Sequence, residues 1–275
     1  MNLTTIRSVR RLASADAVTV WRDGNAWLAG GPWLCSEPQP KLDTLIDLDE
    51  FGWPALEASG DGLTIGATCK IADLYAFTPP SEWKAAHLFH QCCRSFLASF
   101  KIWNAATVGG NICMSLPAGP MISLTAALEG VCTLWPRGAS PRQVPVVDFV
   151  TGNNRNVLQA GELLRSIHVP AATLMRRSAF RQASLTKLGR SAALIIGTMG
   201  AGRDLVLTIS AATDRPMQLR FDQAPSADEL RDAIEGAVPP ERWFQDVHGS
   251  APYKRHVTGY LAEQIRAELV EGARP

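Results

Sequence analysis

The chain has 275 residues, a formal charge of +1, 46% apolar residues and 19% charged ones. This balance belongs to a globular protein large enough for two domains; it excludes a disordered chain, and charges scattered without a basic stripe exclude a nucleic-acid footprint. No stretch is long and apolar enough to span a bilayer, the first residues lack the apolar run of a secretory leader, and six cysteines (35, 69, 92, 93, 113, 132) with no Cys-x-x-Cys pair fit reduced, mostly buried thiols of a cytoplasmic protein.

In chain order, Ser14 is placed to cap a short helix with Ala17, Val18 and Trp21 on one face. Asp23-Gly24-Asn25 ends it, and residues 26–29 read as a strand running into Gly30-Gly31. Residues 44–48 and 63–67 read as further strands, the latter fed by the Asp61-Gly62 turn. A long helix is expected from Pro79-Pro80-Ser81, capped by Ser81, with Ala86, Phe89, Cys93, Phe96 and Phe100 on its buried stripe. The run Asn104-Ala105-Ala106-Thr107-Val108-Gly109-Gly110-Asn111 then reads as a second glycine-pair loop. A helix is expected over 121–128, a strand over 131–135, and extended segments over 144–150 and 167–169. A small-residue connector near Pro170-Ala171-Ala172 marks a domain boundary. Beyond it, 179–188, 193–198 and 205–210 read as strands, and 226–237 and 250–270 as helices. The last carries an i+4 stripe of Tyr253, Val257, Leu261, Ile265 and Leu269.

The glycine pairs carry the chemical signal. A residue without Cβ lets backbone approach a ligand and lets adjacent N–H groups turn toward one anion, so two such loops can hold a diphosphate from two sides. Thr107 and Asn111 add a hydroxyl and an amide. Neither loop fits Gly-x-Gly-x-x-Gly, and no Gly-x-x-x-x-Gly-Lys-[Ser/Thr] is present. His87 and His90, three apart on the long helix, present either a metal pair or a solvated face. With no nucleophile elbow, no metal cage and no acid/base pair, no catalytic side chain is assigned; an enzyme built this way relies on a bound cofactor.

These residues resemble a family. Ala29-Gly30-Gly31, the run Ile102-x-Asn104-x-x-Thr107-Val108-Gly109-Gly110-Asn111, Pro117-Ala118, Gly161-Glu162-Leu163-Leu164, Thr186-Lys187-Leu188-Gly189-Arg190 and Gly249-Ser250-Ala251-x-Tyr253-Lys254-Arg255 are together similar to the FAD-binding (medium) subunit of molybdenum hydroxylases, of the xanthine dehydrogenase and carbon monoxide dehydrogenase type. The resemblance implies an α+β chain: a two-lobed FAD-binding domain of the vanillyl-alcohol-oxidase type over 1–171, then a small C-terminal flavoprotein domain of sheet plus helices over 176–275. It implies non-covalent FAD held by Leu28, Ala29, Gly30, Gly31, Pro32, Trp33 and Leu34 on one side of the diphosphate and by Thr107, Val108, Gly109, Gly110 and Asn111 on the other. Leu97, Pro120, Leu164 and Lys187 would lie near the flavin, Lys187 at the edge of its ring system. Three positions depart from the family pattern. Pro32-Trp33 replace Thr-Asp in the first loop, Trp103 replaces an arginine, and Pro120 replaces an aspartate.

The implied function is an electron-transfer subunit of a heterotrimer, or of a dimer of heterotrimers. Substrate oxidation would occur at molybdopterin on a large partner and electrons would cross [2Fe–2S] clusters on a small partner. From the flavin they would reach NAD or another acceptor. Two alternatives stay open at this point: a structural subunit whose altered loops have weakened or lost FAD, and a free-standing flavin reductase or oxidase.

Overall fold

In a computed structural model, residues 3–12 and 21–272 are described; the helix expected after Ser14 lies outside them, except for Trp21. The first sheet is small and parallel, made of β1 (Ser8–Arg11), β2 (Asn25–Leu28) and β3 (Thr44–Asp47), with β3 in the centre. Its register pairs Asn25 with Thr44 and Leu28 with Asp47, so the glycine pair leaves the sheet at the carboxyl end of β2.

The second sheet is antiparallel, in the order β4 (Leu56–Ser59), β5 (Gly62–Gly66), β10 (Leu163–Pro170), β6 (Val131–Trp135) and β7 (Arg142–Pro145). Five helices fall between β5 and β6: α1 (Ile71–Ala76), α2 (His87–Ser95), α3 (Phe100–Trp103), α4 (Val108–Met114) and α5 (Pro120–Ala127). The turn α6 (Val146–Phe149) and the hairpin of β8 (Val150–Gly152) and β9 (Arg155–Asn156) precede β10. Helix α5 is buried all round, which is how an apolar helix with no polar face must sit. After α7 (Ala171–Leu174), the third sheet runs antiparallel as β11 (Arg177–Ser184), β12 (Ser191–Met199), β13 (Leu205–Ser210) and β14 (Met217–Phe221), followed by α8 (Ala227–Ala237) and α9 (Ala251–Glu271).

Strand β12 is buried along its whole length, with Leu194 and Ile196 in the core of the second sheet and Ala193 and Ile195 in the core under α9. Its continuous apolar run is therefore that of a central strand covered on both faces. The Ser123 and Ser210 hydroxyls, 2.6 Å apart, tie α5 to β13 across the same junction. Among the described residues no helix is long and apolar enough to cross a membrane.

Several elements differ from the expected ones. The long helix starts at His87 after a 3₁₀ turn and ends at Ser95; Ser81 makes no cap, and Phe100 is exposed. At the break the Ser95 hydroxyl donates to Gln182 of β11 at 2.9 Å, and a new turn starts after Ser99, which makes no side-chain cap bond. Strand β11 ends at Ser184, so Thr186 to Arg190 lie on the hairpin before β12 and not in a strand. Residues 144–150 contain a helical turn, and β14 is an additional strand. The capping box of Ser226 and Glu229 and the Ser250 cap set the last two helices where the sequence places them.

Candidate functional site

The second glycine pair is not a loop. Gly109 and Gly110 form the first turn of α4, with Thr107 as its N-cap, and neither has positive φ. The N–H groups there are already engaged: Val108 donates to Cys69 O at 2.8 Å, Gly109 to Ala67 O at 3.1 Å, Gly110 to Thr107 Oγ1 at 3.0 Å and Asn111 to Thr107 O at 3.0 Å. These glycines serve close packing instead. A Cβ on Gly109 would stand 2.6 Å from Ala67, and one on Gly110 2.9 Å from Thr107 Oγ1.

The first glycine pair is the open one. Gly30 and Gly31 have φ of 82° and 73°, conformations that L side chains avoid. A Cβ on Gly30 would meet Ala105 O at 1.9 Å, so the two glycine segments are docked against each other. The Thr107 hydroxyl donates to Ala29 O at 3.3 Å and reinforces that docking. Pro32, Trp33 and Leu34 form a single turn closed by the Cys35 N–H to Gly31 O bond of 2.8 Å. Pro32 stands at the first position of the turn, where no intra-turn N–H bond is lost and its fixed φ suits the geometry. No described residue accepts from the N–H groups of Gly30, Gly31, Trp33 or Leu34.

Between these segments lies a cleft of about 390 Å³. Ala29, Gly31, Pro32, Trp33, Leu34, Thr107, Gly109, Gly110, Asn111 and Leu164 all line it. Leu28, Gly30 and Val108 are not part of its lining; Val108 is fully buried, and Gly30 is exposed next to the lining residues Ala29 and Gly31. It is also lined by residues to which the sequence reading gave no site role, among them Trp21, Asn25, Trp27, Leu48 and Glu162. Glu162 is 4% exposed and takes two 2.7 Å bonds from Arg142 and a 3.0 Å bond from the Gln159 N–H. Burial pushes its carboxyl up, but the Arg142 bonds and the backbone donor outweigh that and hold it below the ordinary glutamate range. Cys113, also in the wall, has a thiol that burial pushes up to about 12.

A second cleft of about 140 Å³ adjoins the first, sharing Phe96 and Asn111 as lining residues. The exposed Leu97, the Leu116–Pro120 segment and, from the third sheet's side, Arg190, Phe244 and Asp246 line it. The Asn111 amide oxygen accepts from Met121 N–H at 3.1 Å, which fixes the start of α5, with Pro120 at its first position. Asp246 is held from behind: its Oδ1 accepts from the Nζ of the fully buried Lys254 and from His248 N–H, both at 2.9 Å. Lys187 is exposed on the β11–β12 hairpin and lines neither cleft; Arg190 of the same motif does. An apolar segment followed by Asp-x-His-Gly-Ser gave no periodic signal, which is why Asp246 went unread.

Trp103, where an arginine was expected, packs on Tyr75 with ring centroids 5.0 Å apart, and Tyr75 in turn packs on His90 at 4.7 Å. His87 and His90 do not converge on a metal: His90 Nε2 bonds Tyr75 O at 2.8 Å, and His87 bonds Lys84 O at 2.8 Å.

Comparison with known proteins agrees with this architecture. The family described as the FAD binding domain in molybdopterin dehydrogenase matches residues 6–172. Xanthine dehydrogenase 2 of Arabidopsis thaliana is 25% identical over 123 residues, 42% of this chain but 9% of that protein; the Oryza sativa subsp. japonica xanthine dehydrogenase is 27% identical over 121 residues, with the same coverage. The matched stretch is thus under a tenth of the length of these curated relatives. Among solved structures, quinoline 2-oxidoreductase from Pseudomonas putida 86 superposes with a TM-score of 0.80 at 19% identity over 99% of both chains. Carbon monoxide dehydrogenase from Hydrogenophaga pseudoflava gives 0.80 at 20% identity over 96% of this chain and 97% of that one. At such identities these two establish the fold.

The fold and site therefore define a flavin-binding α+β protein of the oxidoreductases. More particularly, the chain belongs to the family of FAD-binding domains of molybdopterin dehydrogenases, the molybdenum hydroxylase family.

The site fits the cofactor of that family. Three lining residues of the first cleft, Gly31, Trp33 and Leu34, carry free backbone donors, with that of Gly30 beside them, and two more, Asn25 and Trp27, carry buried polar atoms that have no partner. A second cleft shares its Phe96 and Asn111.

Proposed function

We propose that the chain is the FAD-carrying electron-transfer subunit of a multi-subunit molybdenum hydroxylase, working in the cytoplasm. Residues 1–171 would form the FAD-binding domain and 176–275 a C-terminal domain that closes over the flavin end. What carries this reading is that the two clefts adjoin, with Phe96 and Asn111 in the wall of both, in a chain of this family. The adenosine diphosphate half belongs in the first cleft and the flavin in the second.

In that arrangement the free N–H groups of Gly30, Gly31, Trp33 and Leu34 bind the diphosphate, and the Thr107–Asn111 segment shapes its other wall. Leu97 and Pro120 flank the flavin, Leu164 contacts the cofactor from β10, and the cation that the β11–β12 hairpin turns toward the ring is Arg190, since Lys187, expected at the ring edge, lines neither cleft. No covalent link is formed. When bound, FAD supplies hydride and single-electron chemistry. The chain's own residues orient it between two partners and an acceptor: a small [2Fe–2S] subunit, a large molybdopterin subunit, and NAD or another oxidant. Heterotrimer and dimerised heterotrimer both fit this reading.

One observation favours the second reading, a structural subunit with weakened FAD binding: the N–H groups of Gly109, Gly110 and Asn111 are consumed inside α4. Flavin content decides between them. The purified chain, reconstituted with FAD and desalted, is expected to retain close to one flavin with its blue absorbance band. A colourless protein after reconstitution overturns the first reading in favour of the second.

A further inference from the structure

We infer that Asn25 is the residue that recognises the adenine base of the dinucleotide, and so makes the site select an adenine-bearing flavin over a mononucleotide; this rests on the FAD reading above. Asn25 opens β2 and is 5% exposed, yet neither its amide nitrogen nor its amide oxygen has a hydrogen-bond partner. A buried amide left unsatisfied is costly, and natural cores keep few of them. This one lines the first cleft. Among the described residues of that cleft, only Trp27 shares the property, through its indole N–H.

The arrangement has the chemistry of a base-binding site. A side-chain amide presents one donor edge and one acceptor edge side by side, the complement of an exocyclic amino group next to a ring nitrogen. Asn25 and Trp27 are two residues apart on one strand and so share a face. The Trp27 ring lies 4.9 Å from that of Trp21, which gives the cleft an indole surface on which a purine can stack. Four residues of strand separate Asn25 from Ala29, about 13 Å at the usual rise, the reach of a ribose and base attached to a diphosphate held at Gly30-Gly31. Glu162, the other buried polar group of this wall, is already satisfied by Arg142 and Gln159. The amide of Asn25 is therefore buried without a partner, as its neighbour is not, and a base that reached it would supply the missing bonds.

The test uses the full chain stripped of flavin, titrated separately with FAD, FMN and ADP by calorimetry, with the melting temperature of each ligand-free variant measured alongside. Asn25→Leu is expected to weaken FAD and ADP binding by roughly 10- to 100-fold, the size of a lost bidentate base contact, while leaving the affinity for FMN unchanged. Its ligand-free melting temperature should not fall, because an orphaned amide has been exchanged for an apolar group of similar size. Trp27→Phe, which removes the N–H and keeps a ring, should weaken FAD and ADP by a smaller factor. If Asn25→Leu binds FAD and ADP as the wild type does, adenine lies elsewhere and the inference fails while the FAD assignment stands. If it loses FAD and FMN alike and melts lower, Asn25 is structural and the inference again fails. If the wild type binds neither FAD nor ADP, both readings fall.

Discussion

Gly30→Ala is the substitution that most directly probes how the site is assembled. Two costs arise from one methyl group. At φ of 82° an alanine sits in the left-handed region, which costs about 1–2 kcal/mol. Its Cβ would also stand 1.9 Å from the Ala105 carbonyl oxygen, and no real side chain approaches closer than about 3.0 Å. One of the two docked segments must then retreat by about 1 Å, and overpacking of this kind costs about 1–3 kcal/mol. The combined destabilisation is about 2–5 kcal/mol, and for a chain of this size each kcal/mol lowers Tm by roughly 2–4 °C. The retreat also displaces the free N–H groups of Gly30 and Gly31, so flavin retention should fall with stability. Gly110→Ala is the control: its φ is not positive, and its Cβ meets only Thr107 Oγ1, at 2.9 Å, so the cost is that of disturbing one N-cap, about 1 kcal/mol. Urea denaturation followed by tryptophan fluorescence, with flavin content of the desalted protein, measures both effects. A Gly30→Ala midpoint within about 0.5 kcal/mol of wild type, or a larger loss for Gly110→Ala, refutes the docking argument.

Glu162→Gln should destabilise the protein at pH 7 by about 1.5–3 kcal/mol, because the lost bonds are charge-assisted and half buried. The folded-state pKa is depressed, so this stabilisation is present above the ordinary glutamate value of 4.5 and fades as pH falls through the lower folded value; a wild-type advantage that persists unchanged at pH 3 contradicts the assignment. Asp246→Ala strands the fully buried Lys254 ammonium with only the Ala211 carbonyl at 3.2 Å, which should cost about 3–5 kcal/mol. Adding Lys254→Met should recover most of that loss in the same denaturation assay, and a single variant within 1 kcal/mol of wild type would show that the pair carries little. A thiol-reactive dye at pH 8 should label one cysteine quickly, the exposed Cys35, since burial raises the thiols of Cys69, Cys93 and Cys113 to about 12 and those of Cys92 and Cys132 well above their usual value. Rapid labelling that survives Cys35→Ser would show the core to be more open than described.

Local chemistry was legible wherever a residue decides its own backbone. The Ser226–Glu229 capping box, the Ser250 cap, Pro120 at a helix start and the alternating strands over 26–29, 63–67 and 131–135 stand close to where pattern alone sets them. Both glycine pairs were read as loops that use the φ freedom of glycine, and only Gly30-Gly31 has positive φ. The helix expected to reach Phe100 stops at Ser95, whose hydroxyl donates to Gln182 of β11, 87 positions away, and the last residue of the expected stripe, Phe100, is exposed.

By itself the sequence determined the class of fold and the order of its motifs, since hydrophobic period, caps and glycines act over a few residues and leave their mark in place. Only the tertiary structure decided the division of labour between the two glycine pairs. Gly109-Gly110 looks like an anion cradle until Ala67, Cys69 and Thr107 are seen to take every N–H it has, while Pro32, which looked like damage to the first loop, stands where a turn accepts proline without loss. It also decided the composition of the walls, bringing Asn25 to a glycine loop four residues away and Asp246 to a cleft opened by Leu97. Donors are free or engaged according to what packs against them, and that is settled by contacts between distant segments, not by the residues that carry the donors.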